Sequence, residues 1–203
     1  MNKIITFIFC IFFTGLFFGE NITQENLLQY LNEKQYLNTK FIQTTSKTLN
    51  NRKVEGVLKA NRTGSFKIVY MEPIKETISA DSKFLYKLDL ELNQMDVIPR
   101  EDYFNNTPIS LFIKEIDDLN KLYKVDSCLP DAKNLICTIL SRDNDSFVEK
   151  LYLTFKENQL LSLGYIDTFD QIVNLSFVDV SWKPFDDSEL SISVPEGIDV
   201  VYH

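Results

Sequence analysis

Two periods of hydrophobic spacing divide the chain. In ITQENLLQYLNEK, residues 22–34, apolar side chains recur at Leu27, Leu28 and Leu31. That is the spacing of an amphipathic helix, with Thr23 as its N-cap and Glu25 in its first turn. From residue 37 the period falls to two, and strand-like runs follow at 37–47, 53–61, 66–71, 75–80, 84–88 and 94–99. A second helical patch, TPISLFIKEIDDLNKL at 107–122, interrupts them, with Pro108 placed for a first turn. Strands resume in YKVDSCLPDAKNLICTIL, 123–140, and continue through 147–156, 159–167, 171–182 and 190–194. No linker, repeat or low-complexity block separates them. The pattern predicts one mainly β domain, an antiparallel meander that is bent or partly closed and carries little helix.

The alternation also sorts side chains by face. Phe66, Ile68 and Tyr70 share one face of their strand, Phe84, Tyr86 and Leu88 share a face of another, and Met95 and Val97 continue it. Leu151, Leu153 and Phe155 alternate in the same way, as do Leu175 with Phe177 and Leu190, Ile192 and Val194. A sheet this apolar on one side must cover that side. Two short helices are little to do it with, so the pattern points to a cavity; an ordinary packed sandwich satisfies the same alternation.

Composition narrows the function classes. A formal charge of −8 and a pI near 4.7 repel a phosphate backbone over most of the surface, so nucleic acid is not an expected partner. The opening MNKIITFIFCIFFTGLFFGEN has a positive start at Lys3, an apolar run and a small Gly19 before Glu20, the layout of a secretory signal peptide over residues 1–19. The mature domain is then 20–203, soluble and exported. An uncleaved anchor is the alternative, with an apolar stretch short for a bilayer span. Lipid modification at Cys10 is a third, although Phe7, Ile8 and Phe9 do not form a lipobox. Cleavage leaves Cys128 and Cys137, an even count that favours one disulfide in an oxidising compartment over two free buried thiols.

Catalytic equipment is sparse. The chain has no GxSxG elbow, P-loop, dinucleotide fingerprint or HExxH motif, and its one histidine is the terminal His203. Neither a metal nor a cofactor is expected. The carboxylate pairs Asp117 with Asp118 and Asp186 with Asp187 read as solvated surface, with an exported hydrolase as the competing reading.

The stretch VLKANRTGSFKIVYMEP, 57–73, places a lone cation, Arg62, in a turn between two alternating runs. With Gly56, Leu58, Arg62 and Phe66 in the pattern G-x-L-x-x-x-R-x-x-x-F, then Pro73, DSKFLYKLDLELNQMDV, Thr107-Pro108 with Leu111, DTFDQ and the closing VPEGIDVV, the chain resembles the LolA family of periplasmic lipoprotein carriers. Thr63, Ile68, Ser82 and Asp170 stand where the family usually has proline, tryptophan, glycine and glycine.

The resemblance implies an incompletely closed antiparallel β-barrel, a half-barrel, with a short α-helical lid over an apolar cavity. In that picture Arg62 latches the lid by hydrogen-bonding its backbone carbonyls. Phe66, Ile68, Tyr70, Phe84, Tyr86, Leu88, Met95, Val97, Leu111 and Phe112 line the hollow. The implied cargo is the acyl chains of triacylated lipoproteins, taken from an inner-membrane ABC-type lipoprotein-releasing transporter and passed to an outer-membrane lipoprotein receptor by a periplasmic monomer. A lipid-binding or sensor module on the same half-barrel, without a delivery role, is the alternative.

Overall fold

The computed structural model describes residues 21–47, 50–71, 73–100, 107–143, 146, 148–167 and 169–203. The expected signal peptide, Cys10 and Phe147 lie outside the described residues. Helix α1 (Leu27–Glu33) leads into β1 (Tyr36–Lys47), β2 (Asn50–Asn61), β3 (Phe66–Tyr70), β4 (Glu76–Ala80), β5 (Phe84–Asp89) and β6 (Gln94–Pro99). Helices α2 (Ser110–Ile113) and α3 (Ile116–Leu122) precede β7 (Tyr123–Asp131), β8 (Asn134–Ser141), β9 (Val148–Lys156), β10 (Gln159–Asp167) and β11 (Ile172–Ser181). A 3₁₀ turn (Asp187–Leu190) and β12 (Asp199–Tyr202) complete the chain.

The strands form one sheet in the order β12-β6-β5-β4-β3-β2-β1-β11-β10-β9-β8-β7. Every pairing is antiparallel except that of β12 with β6. β7 and β12 are its two free edges, so the sheet curls without closing: an open half-barrel. Register shifts interrupt β1–β11, β9–β10 and β7–β8, and such bulges sharpen the bend of a strand. At Gly56 a Cβ would meet the Phe41 ring at 2.4 Å and the Val69 carbonyl at 2.6 Å. The bare glycine lets Phe41 lie across β2 and meet Tyr70 edge to face, with centroids 5.7 Å apart.

Part of the concave face is filled. Leu27 and Leu31 of α1 are fully buried in one cluster with Leu119, Ile139, Leu151, Leu153 and Phe155. Each such leucine stabilises by roughly 1.5–3 kcal/mol, which is what holds a seven-residue helix that would not persist alone. Among the described residues no helix is long and apolar enough to cross a membrane.

Several local expectations need correction. α1 starts at Leu27, because Thr23 and Asn26 cap each other in the preceding turn, Thr23 N to Asn26 Oδ1 at 2.7 Å and Asn26 N to Thr23 Oγ1 at 3.3 Å. The 107–122 patch is two helices, broken where Lys114 turns extended. Residues 190–194 are not a strand. The segment crosses the outer face, where Leu190 O accepts from Ser79 Oγ and Ser191 O accepts from Lys67 Nζ. β12 was not foreseen.

Cys128 and Cys137 sit directly opposite each other on β7 and β8 and form a disulfide. For a loop of this length, replacing both by serine lowers stability by about 2–3 kcal/mol on the chain-entropy model. Urea unfolding with and without reductant measures it.

Candidate functional site

The turn after β2 is built to aim one side chain inward. Asn61 Oδ1 accepts from Thr63 Oγ1 at 2.7 Å and from Ser65 N at 3.0 Å, while its amide donates to Asp187 at 2.9 Å. Gly64 takes φ +98°, which a Cβ would strain. Arg62 N donates to Gln35 O at 3.0 Å, and the side chain turns under the helices, where it is 3% exposed.

There the guanidinium donates to four backbone carbonyls. Nε reaches Lys34 O at 3.3 Å and Nη2 reaches Leu31 O, both at the end of α1. Nη1 reaches Leu111 O at 2.8 Å and Lys114 O at 2.7 Å, at the end of α2. They lie at helix ends, where carbonyls run short of intrahelical donors; Leu31 O also accepts from Lys34 N at 3.1 Å and shares its lone pairs between the two. The break at Lys114 is what turns its carbonyl toward the arginine. A planar fork with five donors suits two helix ends at once, which a lysine does not.

Among the described residues no carboxylate pairs with Arg62. Burial pulls the guanidinium down to about 10, opposed by the nearby charge of Glu115. A buried guanidinium sheds its proton more readily than an exposed one, so the packing of Arg62 under the helices gains stability only as pH climbs through about 10. Below that the group is charged whether buried or exposed. The chain's single histidine is at the β6–β12 edge, 3.0 Å from Asp96 and away from the lid. Ligand affinity, read by fluorescence titration, is therefore expected to stay flat between about pH 6 and 9.

Beneath α2 lies a cavity of about 270 Å³. Leu58, Phe66, Ile68 and Ile78 form one wall, Leu163, Leu175 and Phe177 the other, and Pro108, Ile109 and Phe112 the roof. Phe112 and Phe177 meet edge to face, with centroids 6.4 Å apart. Of the residues singled out from sequence, Phe66, Ile68, Tyr70 and Phe112 come together here. Leu111 does not line the cavity; it is fully buried in the core, and its carbonyl is one of the four that Arg62 holds.

Phe84, Tyr86, Leu88, Met95 and Val97 lie elsewhere. They cluster with Ile192 and Ile198 on the outer face, while Leu85 and Ile98 of the same strands turn inward. Both faces of β5 and β6 are apolar because the C-terminal segment covers the outer one. The cleft under that segment is larger, about 450 Å³, but Asp81, Asp187 and three serines line it, which makes it a poor refuge for hydrocarbon.

The acidic pairs have structural partners. Asp118 binds Lys121 at 2.9 Å, and Asp186 caps the 3₁₀ turn through Ser188 N at 2.8 Å. Asn61, which organises the arginine turn, was missed by sequence reasoning; its signal was an asparagine opening an Asn-Arg-Thr-Gly-Ser turn.

The arrangement can shelter something apolar under a cover whose charged fastening uses backbone acceptors alone. Residues 32–193 match the family model described as outer membrane lipoprotein carrier protein LolA. An outer-membrane lipoprotein carrier protein of Hahella chejuensis is 28% identical over 153 residues, 74% of this chain and 73% of that relative. One of Chromohalobacter salexigens is 28% identical over 151 residues, 74% and 71% of the two chains. The crystal structure of an uncharacterized conserved protein from Thermus thermophilus shares the fold, with a TM-score of 0.57 and 10% identity over 88% of this chain and 98% of that one. The match over residues 32–193 is decisive: this chain belongs to the outer membrane lipoprotein carrier protein LolA family.

Proposed function

We propose that this protein is a periplasmic carrier that hides the acyl chains of lipoproteins in the cavity under α2 and delivers them toward the outer membrane. The observation that carries this reading is an apolar hollow roofed by α2, whose end is held by a buried cation bound only to backbone carbonyls. Family membership supports it. Each buried methylene is worth about 0.8 kcal/mol, so a sixteen-carbon chain left in water costs on the order of 12 kcal/mol. A lipoprotein does not cross an aqueous space unshielded.

With the helices held by Arg62 the cavity, at about 270 Å³, falls below the roughly 300–1,000 Å³ of ordinary small-ligand sites. Three acyl chains do not fit, so loading requires the lid to move. Arg62 is the latch. Entering chains part α1 from α2, and some of their burial energy is spent breaking the four carbonyl bonds. That expense keeps net affinity low enough for a receptor to take the cargo. The sequence has no nucleotide-binding motif, so a separate inner-membrane transporter powers loading and an outer-membrane receptor accepts the product. The carrier works as a monomer and catalyses no reaction.

Mass spectrometry of the protein purified after co-expression with a triacylated lipoprotein tests this. Bound lipoprotein in stoichiometric amount is the expected result. Free phospholipid or detergent alone would make it a lipid-binding module without a delivery role.

A further inference from the structure

Polar side chains interrupt the sheet walls of the cavity at three places: Gln43 on β1, Tyr70 on β3 and Tyr165 on β10. Their positions are not scattered. Tyr70 ends its strand opposite Gly56, Gln43 pairs with Val54 and Leu175, and Tyr165 pairs with Leu151 and Val173. All three lie toward the ends of the strands remote from the Arg62 turn, whereas Leu58 and Phe66 beside that turn, with Phe112 of α2, make the latch end apolar. The cavity therefore has a hydrocarbon end and a polar end.

Neither phenol hydroxyl hydrogen-bonds another described residue, and neither is sealed from solvent, since Asn32 Oδ1 is the one fully buried side-chain polar atom without a partner among the described residues. The ring of Tyr70 is fixed edge to face on Phe41, which orients the phenol without satisfying it. Both residues are half-buried, so water serves their hydroxyls while the cavity is empty, and a ligand that displaces this water must replace its hydrogen bonds. Burial pushes Tyr70 up to about 12, with Tyr165 and Glu76 adding to the shift, and raises Tyr165 as well, so both stay neutral donors. A cavity wall that needed only apolar surface would carry phenylalanine at both positions.

We propose that Tyr70 and Tyr165 form a hydrogen-bonding site for the ester carbonyls that join the cargo's acyl chains to its glyceryl head. The chains then run toward Leu58, Phe66 and Phe112, and the linkage stays at the polar end. The assignment rests on the carrier reading above. An ester carbonyl drawn under the lid loses its water, and a preset donor replaces that bond; a bare hydrocarbon chain gains nothing from it. The two hydroxyls thus select acylated glyceryl groups from other apolar matter.

The test compares two probes, a lipopeptide with two ester-linked palmitoyl chains and its dialkyl ether analogue of equal chain length. The wild type is expected to prefer the ester. Tyr70→Phe and Tyr165→Phe each weaken ester binding about fivefold, and together roughly twenty- to thirtyfold, with ether binding unchanged. The melting temperature of the ligand-free double variant stays level, since neither hydroxyl bonds another described residue. Equal wild-type affinity for the two probes, equal losses for both in the variant, or a fall in melting temperature with a parallel loss of both overturns the assignment and leaves the carrier reading standing. A wild type that binds neither probe overturns both.

Discussion

Arg62→Leu is expected to bind acylated cargo at least tenfold more tightly than the wild type and to fail at handing it on. The guanidinium satisfies four carbonyls at the ends of α1 and α2. Hydrogen bonds from a charged donor are worth about 1.5–3 kcal/mol each, and a buried carbonyl left unpaired costs about 1–3 kcal/mol. Removing the fork therefore takes away several kcal/mol that favour the closed lid. When binding requires the open form, apparent affinity scales with the fraction open, so a lid that no longer closes captures cargo more readily. Release suffers for the same reason, because reclosure no longer helps expel the chains. Arg62→Lys keeps the charge but not the fork, and it falls between the two. Lipopeptide titration gives the affinity, and transfer to receptor-bearing vesicles gives the delivery. Unchanged transfer by Arg62→Leu would remove the latch from the mechanism.

Leu175→Trp is the second large effect. Leu175 is half-buried and points into the cavity from β11, beside Phe177 and across from Ile68 and Ile78. An indole there occupies much of a space of about 270 Å³ that otherwise receives hydrocarbon. Because the added bulk enters a void and not the filled core under α1, stability changes by no more than about 1–2 kcal/mol, the lower range of overpacking. Acyl binding falls by more than tenfold. Urea unfolding alongside lipopeptide titration separates the two quantities. A large loss of stability with binding intact would mean that the chains lodge elsewhere.

The strands between 37 and 99 were legible because a half-buried sheet imposes a period of two, and no competing period exists there. Which face each apolar set occupied was not. On β5 and β6 both faces are apolar, Phe84, Tyr86 and Leu88 outward against Leu85 inward, because the C-terminal segment shields the outer one. Alternation says which residues travel together and is silent about direction. The 190–194 run alternates too, yet its carbonyls go to Ser79 and Lys67 side chains and not to a neighbouring strand. The pairing of Arg62 with helix-end carbonyls was readable only through the family resemblance. Its acceptors are main-chain oxygens of Leu31, Lys34, Leu111 and Lys114, which leave no side-chain signature. Tyr70 was placed on the right face, but its unpaired hydroxyl is a property of packing that spacing does not encode.

The central requirement is that hydrocarbon enters the space under α2. Photo-crosslinking with a lipoprotein whose acyl chain carries a diazirine near its terminal methyl tests it directly. Adducts at Phe112, Phe177, Leu58 or Phe66, competed away by unlabelled lipoprotein and lost in Leu175→Trp, are the predicted result. Adducts confined to the outer-face cluster of Leu88, Met95 and Val97, with the lid cavity unlabelled, would contradict it.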